Sequence, residues 1–236
     1  MSQVEAFVAQ HVAAIIVNPA DASATKRMTD AARKAGIPIV YVNRKPDEPL
    51  GNGADFVGSD SLVAGHLQME YLAKKLNGHG NIALMLGELS TDATRDRTRG
   101  VKDSVAKNPG IRIVAEQTAN FDRSQAINLM SQWLSAGKKF DAIAANNDEM
   151  ALGALIAMRQ AGVSPKTVLV GGVDATKDAL FAMSKGDLAV TVFQDGKGQG
   201  KEAVDMAAKL ASGDKSVQSE AWIPYQLVTP EMARRS

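Results

Sequence analysis

The chain has 236 residues, 45% of them hydrophobic and 22% charged, with 27 Lys and Arg against 26 Asp and Glu. A net charge of +1 and only 5% aromatic residues do not suit a nucleic-acid partner, which asks for a basic surface and stacking rings. No apolar run approaches the ~20 residues of a membrane-spanning helix, and a chain without cysteine has no disulfide, thiolate metal site or cysteine nucleophile.

Residues 1–8 lack a basic start, an apolar run and a small-residue cleavage site, and read as an amphipathic helix with Val4, Phe7 and Val8 on one face. Residues 13–18 (AAIIVN) form a short apolar run closed by Pro19, which predicts a buried strand. A helical period over 23–35 stops at Gly36, and 37–43 (IPIVYVN) predicts the next strand, with a shorter one at 55–59. A helix over 62–76 ends before Gly78, and strand 81–86 (NIALML) follows. The alternation continues: helix 91–107, strand 111–118, helix 122–136, strand 140–145, helix 148–161, strand 167–171, helix 177–185, strand 188–193 and helix 199–211. A last extended segment covers 221–229. Short apolar strands alternating with helices imply α/β architecture, with parallel sheets covered on both faces. The turn Asn77-Gly78-His79-Gly80 separates two such series, so two sheets are expected. The expected domains are 1–78 with 196–223, and 79–195 with 224–236.

In open α/β sheets ligands bind at the carboxyl ends of the strands, and here those ends are polar. Strand 37–43 runs into Asn43-Arg44; strand 81–86 into a loop leading to Arg95-Asp96-Arg97. The following strand ends run into Asn120-Phe121-Asp122-Arg123, Asn146-Asn147-Asp148-Glu149, Gly172-Val173-Asp174-Ala175-Thr176 and Phe193-Gln194-Asp195. Taken singly, Asp122, Asp148 and Thr176 read as helix N-caps. Arg95, Arg97 and Arg99 spread around a helix, so one or two at most face a single pocket. As a set, six strand ends supply planar hydrogen-bonding groups. Such groups suit a polyhydroxylated ligand: amides donate and accept, Arg donates as a fork, and a carboxylate accepts from adjacent hydroxyls.

Catalytic patterns are weak. His11, His66 and His79 show no metal-ligand spacing, and there is no G-x-S-x-G elbow. A phosphate loop at 196–201 would need Gly at 195 and Ser or Thr at 202, where the chain has Asp195 and Glu202. Asp148 and Glu149 are adjacent on a helix and point apart. No enzyme activity, metal or cofactor is expected.

Asn18-Pro19, Val42-Asn43-Arg44, Arg95-Asp96-Arg97, Asn120-Phe121-Asp122-Arg123, the string NNDEMALGA over 146–154, Gly172-Val173-Asp174-Ala175-Thr176 and Val192-Phe193-Gln194 together resemble the periplasmic ribose-type sugar-binding proteins. The resemblance covers essentially the whole chain. Asn43 before Arg44, GGVDAT and Ala221-Trp222-Ile223-Pro224-Tyr225 look most like the branch that binds myo-inositol and related cyclitols. It implies two doubly wound parallel-sheet lobes joined by a multi-strand hinge, the type I periplasmic-binding-protein-like fold. The ligand residues it implies are Asn43 and Arg44 from the N-terminal lobe, with Arg97, Phe121, Asn147, Asp174 and Gln194. Phe121 would stack on the ring of the sugar or polyol. The implied partner is the membrane permease of an ABC importer, and the implied compartment the periplasm. The family begins with a strand, a helix and a strand ahead of the helix that opens this chain. The expectation is therefore an incomplete N-terminal lobe, weakened ligand affinity, and a bared edge on strand 13–18 open to self-association. The sensing core of a LacI-type regulator shares the fold and is the alternative reading, together with a folded fragment without ligand affinity.

Overall fold

The computed structural model describes residues 1–233. In chain order its elements are α1 (Ser2–Ala9), β1 (Ile15–Val17), a 3-10 turn (Ala22–Ala24), α2 (Thr25–Lys34), β2 (Ile39–Val42), β3 (Ala54–Gly58), α3 (Ser61–Lys75), β4 (His79–Leu86), α4 (Asp92–Ala106), β5 (Gly110–Thr118), α5 (Arg123–Ser135), β6 (Ala142–Ala145), α6 (Asp148–Gln160), β7 (Leu169–Gly171), α7 (Lys177–Ser184), β8 (Thr191–Phe193), α8 (Gly196–Ala211), β9 (Glu220–Trp222), β10 (Gln226–Val228) and α9 (Pro230–Ala233). They form two compact units, Met1–Asp60 with Asp195–Pro224, and Ser61–Gln194 with Tyr225–Ser236.

The first unit holds a four-stranded parallel sheet in the order β1-β2-β3-β9. Successive side chains of β2 point to opposite faces. Ile39 and Tyr41 pack with Val4, Met28, Ala32 and Phe56 under α1 and α2, while Val40 packs with Val57, Ala203 and Met206 under α8. Covering both faces explains the unbroken apolar run of β2. The buried Tyr41 hydroxyl donates to Thr25 O at 2.9 Å and lies 2.7 Å from Thr29 Oγ1, so its polar end is satisfied. β1 is an edge strand, and Ile16 is 40% exposed.

The second unit holds a parallel sheet in the order β5-β4-β6-β7 and an antiparallel pair β8-β10. Ile82 and Leu84 of β4 face Met69, Leu72 and Val101 of α3 and α4. Ala83 and Met85 face the opposite core of Met130, Ile143, Met150 and Met158. Helices α3 and α4 cross at glycines. A Cβ at Gly65 would come 2.1 Å from Arg97 O, and one at Gly100 would come 2.3 Å from Leu62 O. No larger residue fits there without moving a helix backbone.

Three features differ from the sequence expectation. The first boundary lies at residue 60, not 78. Helix α3 carries Met69, Leu72 and Ala73 into the second core, and the turn 77–80 merely ends that helix, with Gly78 N donating to Ala73 O. The extended segment 221–229 is two strands, β9 and β10, in different units. Pro224, which has no N–H to donate, lies between them. Strand 188–193 narrows to β8 and runs antiparallel to β10, so not every pairing is parallel.

Candidate functional site

In the second unit the polar groups gather at the carboxyl ends of β4, β6 and β8 around one guanidinium. Thr91 caps α4, accepting from Thr94 N at 3.2 Å, and Arg97 follows in the next turn. Its side chain is only 6% exposed, whereas Arg95 and Arg99 are 62% and 57% exposed beside Asp96. One arginine of the three therefore points inward, as helical spacing requires. Arg97 Nη1 donates to Asn146 O at 2.7 Å, and Nη2 donates to Tyr225 Oη at 2.9 Å and Gln194 Oε1 at 3.2 Å. Asp174 Oδ1 lies 3.7 Å from Nη1.

Asn146, at the end of β6, fixes its amide against two donors. Its Oδ1 accepts from Gly87 N at 3.1 Å and Thr98 Oγ1 at 3.2 Å. Asn146 Nδ2 and Arg97 Nε are both buried without a protein partner. Buried orphans are rare in folded proteins, and these two lie in one cluster. Both are donors, so the cluster is short of acceptors.

Asp174 supplies the acceptor charge. Burial pushes its carboxyl up to about 6, against the lowering effect of Arg97, and Glu149 adds to the rise. Asp174 and Ala175 both have left-handed backbone, with φ of 117° and 54°. Asn120 and Phe121 form a second such pair, at 53° and 58°. For a phenylalanine this conformation is strained, and it lays the ring against Gly87 at the end of β4. The ring is half-buried, with its inner side on the core of α5 and α6.

Asn147 has a local duty. Its Oδ1 accepts from Met150 N at 3.0 Å and caps α6, and its Nδ2 reaches Phe121 O at 3.5 Å. The cap of α6 is thus Asn147 and not Asp148, whereas Asp122 and Thr176 cap α5 and α7 as expected. Asp148 is fully buried and binds the turn that follows β7. Arg123 pairs twice with Glu149, at 2.8 and 2.9 Å, and with Asp178 at 2.9 Å.

Two of the expected residues stand in the first unit. Asn43 ends β2 with φ 69°, its N–H on Val57 O at 2.9 Å. Arg44 is half-buried and donates to Ala20 O. In the second unit the structure brings Arg97, Asp174 and Gln194 together and adds Asn146 and Tyr225, which were not among the expected ligand residues. Asn146 already stands among the polar strand ends, as the first polar residue after an all-apolar strand. Tyr225 stands in the 221–225 string that resembles the cyclitol-binding branch, without a role of its own. Among the described residues no cluster of His, Asp or Glu could hold a metal ion.

Residues 1–215 match the family described as "Periplasmic binding protein domain". The chain is 49% identical to the putative rhizopine-binding protein of Rhizobium meliloti, over 97% of this chain and 75% of that protein. It is 33% identical to the ribose import binding protein of Bacillus subtilis, over 97% of this chain and 72% of that one. Among solved structures, an ABC transporter solute binding protein from Bacillus halodurans with bound myo-inositol superposes with a TM-score of 0.93 at 47% identity, covering 99% of this chain and 80% of that one. The parallel-sheet α/β fold and these likenesses agree, and the chain belongs to the periplasmic binding protein family.

Proposed function

We propose that this chain is the solute receptor of an ABC importer and binds a cyclitol or monosaccharide through its strand-end polar groups. The observation that carries the reading is the buried Arg97 network. A guanidinium fixed by Asn146, Tyr225 and Gln194 stands beside the Asp174 carboxylate. A hydroxyl both donates and accepts, so a polyol complements this mixture of donors and one charged acceptor. A purely anionic ligand would face Asp174, and a purely apolar one would strand the amides.

In this reading Asp174 accepts from ring hydroxyls, Gln194 and Asn147 add amide contacts, and Phe121 covers the C–H face. A cyclitol is favoured over ribose, because the 47% identical solved structure holds myo-inositol whereas the ribose import relative is 33% identical. Those likenesses are to import receptors, which favours transport over gene regulation. The reading places the protein in the periplasm with a membrane permease as partner, has it bind without catalysing, and includes self-association along the β1 edge.

The test is a thermal melt with and without millimolar myo-inositol, ribose, galactose and other polyols. A ligand that binds only the folded state raises the midpoint by mass action. A selective shift with myo-inositol is expected. A cooperative melt that no polyol moves would refute the reading.

A further inference from the structure

The turn bearing Asp174 is held by a pair of residues that never meet solvent. Asp148 and Thr191 are both 0% exposed, so neither is open to a ligand. Thr191 Oγ1 donates to Asp148 Oδ1 at 2.7 Å and accepts from Ala175 N at 3.1 Å. Asp148 Oδ2 accepts from Thr176 N at 2.8 Å. The two side chains therefore take up the consecutive amides of Ala175 and Thr176, directly after Asp174. Asp174 N is itself fixed on Val192 O at 2.8 Å, and Asp148 N on Val173 O at 2.8 Å.

The backbone held in this way is the left-handed Asp174-Ala175 pair, which persists only where its surroundings over-determine it. Gly172 makes room for the arrangement: a Cβ there would come 2.2 Å from Asp148 Oδ1. Asp148 is thus too deeply placed for a ligand contact, and unnecessary as a helix cap because Asn147 fills that role.

We infer that Asp148 and Thr191 are positioning residues for ligand binding: they clamp the 172–176 turn and so aim the Asp174 carboxylate at the Arg97 network. The inference rests on the polyol reading for its functional half. Its structural half can be measured separately.

The experiment pairs isothermal titration with myo-inositol and amide exchange at Ala175 and Thr176, both well below each variant's melting point. It uses Thr191→Val, Thr191→Ser and Asp148→Ala in the full chain. Thr191→Val keeps the shape and removes the hydroxyl, so it tests the clamp even where Asp148→Ala fails to fold. Thr191→Val is expected to weaken binding at least about tenfold, the scale of one hydrogen bond to a charged group, and to speed exchange at both amides. Thr191→Ser is expected to restore both. Wild-type affinity in Thr191→Val overturns the inference, whether or not exchange changes, and so does weaker binding without faster exchange. If the wild type binds no polyol, the functional reading falls, and exchange alone decides the clamp: unchanged protection in Thr191→Val overturns it.

Discussion

Arg97→Met is the sharpest perturbation of the proposed site. It keeps an unbranched stem of similar length and removes the guanidinium. Asn146 O, Tyr225 Oη and Gln194 Oε1 then lose a charged donor at 2.7, 2.9 and 3.2 Å, and Asp174 loses the positive charge 3.7 Å away. The side chain is only 6% exposed, so water does not replace these bonds. Each hydrogen bond to a charged group contributes about 1.5–3 kcal/mol. The sum overstates the loss, because the desolvation of the guanidinium disappears with it. Removing one partner of a buried ion pair costs about 3–5 kcal/mol, and that is the expected loss of stability. For a unit of this size it lowers the melting midpoint by roughly 6–20 °C. Calorimetry of the ligand-free protein measures the loss. A polyol titration below the lower midpoint measures binding, which is expected to weaken by at least about tenfold. A variant that melts within about 2 °C of wild type, or binds equally well, would refute the view that Arg97 organises these strand ends.

Stability should fall as pH rises through the acid range. Burial pushes the carboxyls of Asp55, Asp148 and Asp174 up to about 6, 7 and 6 from an ordinary value of 3.8. A carboxyl that holds its proton more tightly when folded favours folding at low pH and opposes it once ionised. These groups therefore lower stability progressively from about pH 4 to pH 7, and a denaturation midpoint no higher at pH 5 than at pH 8 would count against them. Polyol binding should move the opposite way, weakening below about pH 6 as Asp174 takes up its proton. Phe121→Ala is expected to weaken polyol binding roughly tenfold while the melt stays cooperative; a collapsed transition would show that the ring serves the core alone. Gly65→Ala pushes a methyl into the Arg97 carbonyl and should cost about 1–3 kcal/mol, read by urea unfolding. Ile16→Lys should abolish self-association along the β1 edge in light scattering at high concentration; a wild type that is monomeric there removes the edge from consideration.

The alternation of helices and strands was legible because β2 and β6 are buried apolar runs and α2, α5, α6, α7 and α8 stop within two residues of a left-handed glycine. The strand ends were legible for the same reason: a polar residue straight after an apolar run marks where a buried strand meets solvent or a ligand. Arg97 could be narrowed from three candidates only by helical spacing and by the motif it resembles. What the sequence hid was packing. Nothing local shows that α3 belongs with the second unit, since that follows from Gly65 and Gly100 meeting across two helices. Pro224 was visible, yet that it falls between strands of different units was not. Asp148 looked like a cap because caps are the ordinary use of an aspartate after a strand. Only the structure shows Asn147 taking that place and freeing Asp148 to turn inward.

The two kinds of support in the second unit divide the work of the site. Arg97 comes from the second turn of a capped helix locked against its neighbour by close-packed glycines, and rigid elements hold a charge more accurately than loops. Phe121 and Asp174 come instead from short turns whose left-handed backbone is unfavourable for Phe121 itself and for Ala175 beside Asp174. Of the eight non-glycine residues with positive φ among those described, five are Asn43, Asn120, Phe121, Asp174 and Ala175, all at strand ends expected to face a ligand. His11, Asn52 and Asn77 account for the rest, and Asn and His tolerate that region in ordinary turns. Asn43 and Asn120 tolerate it equally, so the strain falls on Phe121 and Ala175, and at Ala175 local bonds offset it: the amides of Ala175 and Thr176 are taken by Thr191 and Asp148. It follows that Thr191→Val, which keeps the side-chain shape, should affect binding out of proportion to its effect on stability. Substitutions at the glycine crossing should affect both together, since the helix that carries Arg97 moves as one body.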